Sequence, residues 1–172
     1  MWVAGESASM NVAIISDTHV PSRANRLPTW VRERVRGADH VIHAGDFDGM
    51  DVLATIEDLA TSLTAVSGNM DRGLGLPTVE TVDLGGVEFV VTHGTGSKTG
   101  YEDRVASTVR EHASDGPTVG VSGHTHELLD ATVDGVRLLN PGSATGAAPA
   151  TSTSMLTAQV ENGELSVTVH ER

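Results

Sequence analysis

Cysteine is absent from this chain, so disulfides, thiolate nucleophiles, zinc ribbons and iron–sulfur clusters are excluded before any motif is considered. Any metal must be held by nitrogen and oxygen. Aromatic side chains are nearly as scarce, with two Trp, one Tyr and two Phe, and Lys98 is the lone lysine. No uninterrupted apolar run approaches the ~20 residues of a membrane span, and residues 1–10 lack the basic start and apolar centre of a secretory signal. A cytoplasmic protein with no membrane partner is therefore expected.

Positive charge is also in deficit, leaving a formal charge of -12 over 172 residues. Such a surface opposes non-specific binding to a phosphate backbone or to anionic lipid, so stable nucleic-acid binding is not expected, although a local cationic site can still accept a phosphate. An acidic, lysine-poor surface suits a salt-rich, halophilic interior, where screening weakens the mutual repulsion of carboxylates. The length fits one domain, read as residues 11–172, preceded by an N-terminal extension over 1–10 outside the core, with Met10 as an alternative start.

Five apolar, β-branched segments, at 12–16, 41–42, 63–67, 87–92 and 118–122, scarcely alternate and read as strands buried on both faces. Helical spacing lies between them, around 29–35, 50–60 and 102–112. The alternation predicts an α/β fold with partly parallel strands. After Leu128 the pattern turns to strands joined by turns, with Asp134-Gly135 and Asn162-Gly163 as hairpin signals, which predicts a second, more antiparallel sheet from the C-terminal part. Residues 142–154, rich in Gly, Ala, Ser and Thr, read as a loop.

Each of the five strand segments runs directly into a polar cluster: Asp17-Thr-His19, Gly45-Asp46, Gly68-Asn69, His93-Gly94 and Gly123-His124-Thr-His126. Carboxyl ends of strands in open α/β sheets converge on one crevice, so these clusters are expected to face one another. Two Asp, one Asn and four His suit borderline divalent metals. They are too many for one catalytic ion with an open position, but they suit two ions sharing a carboxylate, ~3.5–4 Å apart, as phosphoryl transfer uses.

In these five ordered blocks the sequence resembles the calcineurin-like metallophosphoesterases, and its compact length looks most like their YfcE-like phosphodiesterase branch. The resemblance runs from Ser16 to Ser143. It implies a four-layer α/β/β/α sandwich of two facing mixed sheets flanked by helices. It also implies that Asp17, His19 and His126 hold one metal, that Asn69, His93 and His124 hold the other, and that Asp46 bridges them, with a bridging hydroxide for in-line attack. Catalysis is placed on Asp46 and His124. The implied cofactors are two divalent ions, manganese first, with nickel, cobalt, iron or zinc as alternatives. The implied substrate is a small phosphorylated molecule, and a homo-oligomer is compatible with the resemblance. Asn140-Pro141-Gly142-Ser143 looks like a recurring turn of the branch and is expected to play a supporting role near the site.

One position departs from the broader superfamily. Many members place a histidine directly after the Gly-Asn, where it can protonate the leaving group, whereas this chain has Met70, which cannot transfer protons. Good leaving groups are therefore favoured, unless water or another residue supplies the proton.

Around the ligand set, Asn140 is expected to support the ligands, His43 to support them or sit in the core, and Asp71 to support them or stand as a solvated loop carboxylate, while His40, His112 and His170 read as surface or packing residues. Asp48 reads equally as a support or as a solvated loop carboxylate. Arg72 and Arg104 are the nearest candidates for steering a phosphate, and either could instead pair with a carboxylate. The run 94–100 lacks the Gly-Lys pair of a nucleotide-binding loop and reads as a flexible loop leading to a helix. The rival function is a non-catalytic protein-interaction scaffold, because the resemblance extends to a vacuolar-sorting retromer subunit. Ligand-competent residues at all seven positions favour the enzyme.

Overall fold

Successive residues of the first strand serve two different layers. In the computed structural model, which describes residues 9–172, strand β1 (Met10–Ile15) sends Val12 and Ile14 into one apolar layer and Ala13 and Ile15 into another. A strand buried on both faces has no polar alternation, because neither face meets water. The same division recurs in β2 (His40–His43), where Ile42 and Val41 point to opposite layers.

Helix α1 (Thr29–Gly37) leads to β2, and α2 (Met50–Leu59) leads to β3 (Leu63–Ala65). Then come β4 (Val79–Leu84), β5 (Val87–Thr92), α3 (Tyr101–His112), β6 (Thr118–Val121), β7 (Leu128–Val133), β8 (Val136–Pro141), β9 (Ser154–Glu161) and β10 (Glu164–Glu171). Two mixed sheets result, ordered β10-β9-β1-β2-β3 and β4-β5-β6-β8-β7. In the first, β1, β2 and β3 run parallel while β9 pairs antiparallel with both β1 and β10; in the second, β5, β6 and β8 run parallel and the outer strands β4 and β7 are antiparallel to them.

The sheets face each other across a layer that includes Val12, Ile14, Ile42, Phe89, Val91, Val121, Leu139 and Leu156. Val31 and Val35 of α1 and Val52, Leu53 and Ile56 of α2 cover the first sheet, and Tyr101, Val105, Ala106 and Val109 of α3 cover the second. These spacings of three to five residues put one apolar stripe on each helix. The result is the expected four-layer sandwich.

Two expectations need correction. The second sheet is not built from the C-terminal part alone: it takes β4, β5 and β6 together with β7 and β8, while β9 and β10 return to pair antiparallel with β1. The five ligand-bearing segments consequently belong to two sheets, β1, β2 and β3 to one and β5 and β6 to the other. The reason is that β9, with Leu156, Ala158 and Val160 on one face and Met155 on the other, fits the open edge of β1, which has apolar layers on both sides. Both hairpin signals stand at two-residue turns, Asp134-Gly135 between β7 and β8 and Asn162-Gly163 between β9 and β10. Of the extension expected over 1–10, residues 1–8, including Trp2, lie outside the described residues, whereas Met10 opens β1 and packs partly against the inter-sheet core. Among the described residues no helix is long and apolar enough to cross a membrane.

Candidate metal centre

The parallel strands of both sheets deliver their carboxyl ends to one place. Asp17 and His19 follow β1, Asp46 follows β2, Asn69 follows β3, His93 follows β5, and His124 and His126 follow β6. The Asp and His members of this set form two groups, Asp17, His19 and His126 in one and Asp46, His93 and His124 in the other, with candidate ligand atoms in each group within 4.8 Å of one another. Asn69 stands exposed on the rim and lines, with His93 and Arg104, a groove of about 430 Å³.

The hydrogen bonds on the outer side of each imidazole settle which nitrogen faces inward. His19 Nδ1 donates to Asp48 Oδ1 at 2.9 Å, and His93 Nδ1 to the Ala44 carbonyl at 2.7 Å. His124 Nε2 donates to the Gly96 carbonyl and His126 Nδ1 to the Ala147 carbonyl, both at 2.8 Å. Carbonyl and carboxylate oxygens only accept here, so those nitrogens carry hydrogens and the opposite ones face the centre of the cluster.

The inward nitrogens meet one another and two carboxylate oxygens. His19 Nε2 lies 3.2 Å from His126 Nε2, and His124 Nδ1 lies 3.3 Å from His93 Nε2. Asp17 Oδ1 is 3.3 Å from His126 Nε2, and Asp46 Oδ2 is 3.2 Å from His93 Nε2 and 3.5 Å from His19 Nε2. Asp46 Oδ2 thus stands between the two groups. Asp17 Oδ1 is buried without a hydrogen-bond partner, although Oδ2 of the same carboxylate accepts from Ser16 Oγ at 2.7 Å and from the His124 backbone N–H at 3.0 Å.

Six acceptor atoms crowded together repel unless positive charge lies among them. Burial opposes charge on His19 and His93, but the carboxylates of Asp17 and Asp46, with Asp48 beside His19, outweigh it and raise both imidazoles above their ordinary pKa. Burial likewise opposes ionisation of Asp17 and Asp46, yet the surrounding histidines hold both carboxyls below the usual range. The electrostatics of the cluster favour a cation, and a nitrogen-and-oxygen donor set with one orphaned buried carboxylate oxygen fits divalent metal.

The three expected supports bind the backbone that carries the ligands. Asp71 accepts from the N–H groups of Asp46 at 2.6 Å, Gly68 at 2.9 Å and Asp48 at 3.0 Å, tying the β2 and β3 loops together. His43 is fully buried, accepts from the Gly45 N–H through Nδ1 at 3.0 Å, and donates from Nε2 to Thr18 Oγ1 at 3.2 Å. Asn140 donates to the Gly123 carbonyl and to Thr125 Oγ1, both at 3.0 Å, and so props the turn bearing His124 and His126.

Among the other candidates, Asp48 is a support, held between His19 and the Ser22 hydroxyl. Arg104 Nη2 donates to the Gly94 and Ser97 carbonyls and holds the loop that presents Gly96 to His124, while Arg72 is exposed. His40 is buried against Thr64, and His112 and His170 bond to Thr108 and Thr157 away from the cluster. Sequence reasoning placed Ser143 in a supporting turn without its partner, and missed Ser16, Thr145 and the carbonyls of Ala44, Gly96 and Ala147. Every residue carries a carbonyl, so nothing in the sequence marks those three. Ser143 Oγ and Thr145 Oγ1 donate to the carbonyls of Asp17 and Thr18 from 126 and 127 residues away, which local pattern cannot reveal.

A family model described as the calcineurin-like phosphoesterase superfamily domain matches residues 10–163. A protein of Methanothermobacter thermautotrophicus named "Probable metallophosphoesterase" is 34% identical over 138 residues, covering 79% of this chain and 78% of that protein. "Phosphodiesterase MJ0936" of Methanocaldococcus jannaschii is 27% identical over 153 residues, covering 80% of this chain and 86% of that one. Among solved structures, wild-type Vps29 of Entamoeba histolytica complexed with Zn²⁺ matches with a TM-score of 0.76 at 27% identity, over 95% of this chain and 98% of that one.

Proposed function

This chain belongs to the calcineurin-like phosphoesterase superfamily, and from that premise we propose that it is a metal-dependent phosphodiesterase acting on small phosphorylated molecules. Asp17, His19 and His126 would hold one divalent ion and Asn69, His93 and His124 a second, with Asp46 serving both. The observation that carries this reading is the convergence of four inward-facing imidazole nitrogens, each set by the outward hydrogen bond of the opposite ring nitrogen, on two buried carboxylate oxygens. The relative named as a phosphodiesterase supports the choice of diester over monoester.

Bound there, two such cations, manganese first, would supply Lewis acidity toward a phosphoryl oxygen and a hydroxide near neutral pH. The chain's part is to hold them in place and to orient the donor atoms. His124 serves as a ligand through Nδ1, since its Nε2–H is committed to Gly96. Asp46 Oδ1 accepts from the Met70 backbone N–H at 2.8 Å, which leaves Oδ2 for the ions. The Met70 side chain, 44% exposed, offers no proton to a leaving group, so aryl esters and other good leaving groups are preferred.

The alternative, a protein-interaction scaffold, rests on the likeness to Vps29. Purified protein loaded with Mn²⁺ and offered bis(p-nitrophenyl) phosphate separates the two. The enzyme turns the diester over, and Asp46→Asn loses metal and about 100-fold or more in kcat/KM. Full activity in that variant defeats the two-metal reading, and no turnover with Mn²⁺, Ni²⁺, Co²⁺, Fe²⁺ or Zn²⁺ favours the scaffold.

A further inference from the structure

Positive charge, scarce everywhere else, is gathered in one stretch. Arg23, Arg26, Arg32, Arg34 and Arg36 account for five of the eleven basic residues, and Glu33 is the one carboxylate among them. Although the chain has 23 acidic residues, none of these five arginines forms an ion pair among the described residues, where the cationic pairs are Lys98 with Glu127 and Arg137 with Asp130. Arg32 Nε is moreover buried without a hydrogen-bond partner.

Two of the five line a groove of about 520 Å³. Arg26 and Arg32 share it with Val20, Asn25, Met50 and Thr55, and Asp51 in the first turn of α2 is the one carboxylate in its wall. The groove abuts the metal centre. Val20 directly follows His19, and its N–H and carbonyl bond to Phe47 and Gly49, so the floor is the same pair of loops that carries His19, Asp46 and Asp48.

We propose that this groove is a second anion subsite, which holds a phosphate of the substrate other than the one attacked, so that the substrate class is small phosphodiesters bearing an additional phosphate. This deepens the phosphodiesterase reading and rests on it. Guanidinium groups match phosphate oxygens with paired, charge-assisted hydrogen bonds, and unpaired arginines need not give up a protein partner to do so. A cationic groove in an otherwise anionic surface focuses a small dianion while the remaining charge turns long polyanions away.

The test compares thymidine 5′-(p-nitrophenyl phosphate) with its 3′-phosphorylated form in Mn²⁺-loaded protein at about 0.1 M salt, where screening reaches only ~10 Å. The 3′-phosphate is expected to lower KM by about tenfold or more. In Arg26→Gln/Arg32→Gln the ratio of the two KM values falls to near one. Arg26→Gln alone, at an exposed position, gives an intermediate ratio if the double variant proves poorly folded. Calorimetric titration of thymidine 3′,5′-bisphosphate into metal-stripped protein supplies a readout without turnover, and binding there is expected to disappear in the variants. Equal KM values in the wild type, or a ratio that survives the substitutions, overturn the subsite. If no diester is hydrolysed with any metal, the phosphodiesterase reading fails by itself, and the titration still decides whether the groove binds phosphate.

Discussion

Asp17, His19, Asp46, His124 and His126 all hold backbone φ angles in the left-handed region, between 44° and 74°, and Asp48 joins them at 76°. Among the described residues the other non-glycine positions of this kind are Asp134 and Asn162, at hairpin turns. An L-residue in this region costs about 1 kcal/mol or more, so the strain concentrates where the donor atoms converge. Bonds such as Asp17 N–H to the Gly45 carbonyl and His19 N–H to the Asp46 carbonyl hold it in place. Glycine permits the close approach: a Cβ at Gly123 would lie 2.6 Å from Asp17 Oδ2, and one at Gly68 2.5 Å from the Asp46 nitrogen. Asp71 secures three of the N–H groups involved, so Asp71→Asn should cost about 1–3 kcal/mol in urea unfolding and weaken metal binding about 10–100-fold by calorimetry. Unchanged metal affinity would remove Asp71 from the site. Burial pushes the His43 imidazole down to about 3 from its ordinary 6.5. Below about 6.5 the unfolded chain takes up a proton that the folded chain refuses, so the associated stability, complete above 6.5, drains away as pH falls toward 3. In metal-stripped protein, His43→Gln should flatten the loss of stability between pH 6.5 and 4.5 by up to about 1.4 kcal/mol per pH unit. Equal slopes in the two proteins would contradict this.

At the scale of elements, the parallel strands set the donors in place and α3 braces the far side. Tyr101 opens α3, and its phenol shares one proton between Ser122 Oγ at 2.7 Å and the Gly123 carbonyl at 2.6 Å while accepting from Asn140 Nδ2 at 3.2 Å. Burial pushes the phenol up to about 12, so it is a neutral donor at any ordinary pH. Tyr101→Phe strips a partner from three buried groups and should cost about 1–3 kcal/mol, with a measurable loss of metal affinity at His124. A variant as stable as the parent would show that the brace is idle. The three helices and the five ligand-bearing strands were legible in the sequence because each carries an unbroken apolar run or a clear helical stripe. Strand β4 was not, since Glu80, Thr81 and Asp83 leave it half exposed and its apolar residues few. The Gly85-Gly86 pair between β4 and β5 was the signal that could have found it.

For the whole molecule, a formal charge of -12, with five of the eleven basic residues gathered within residues 23–36, makes stability sensitive to ionic strength. Raising KCl from about 0.1 M to 2 M shortens the screening length from ~10 Å to below ~3 Å, and the melting temperature should rise by about 2–4 °C for each kcal/mol of repulsion relieved. A flat melting temperature would refute the salt-adapted reading. What the sequence determined by itself was the chemistry and its order along the chain: seven ligand-competent residues at the ends of five apolar strands, with no sulfur and no proton donor at Met70. Those follow from residue type and short-range pattern. Which sheet each strand joins, which imidazole nitrogen faces inward, and the placing of Arg26 and Arg32 against the loop of His19 were decided by the tertiary structure alone. The physical reason is that these depend on carbonyls, edges and cavities supplied by segments far away in the chain, and such partners leave no mark on local sequence.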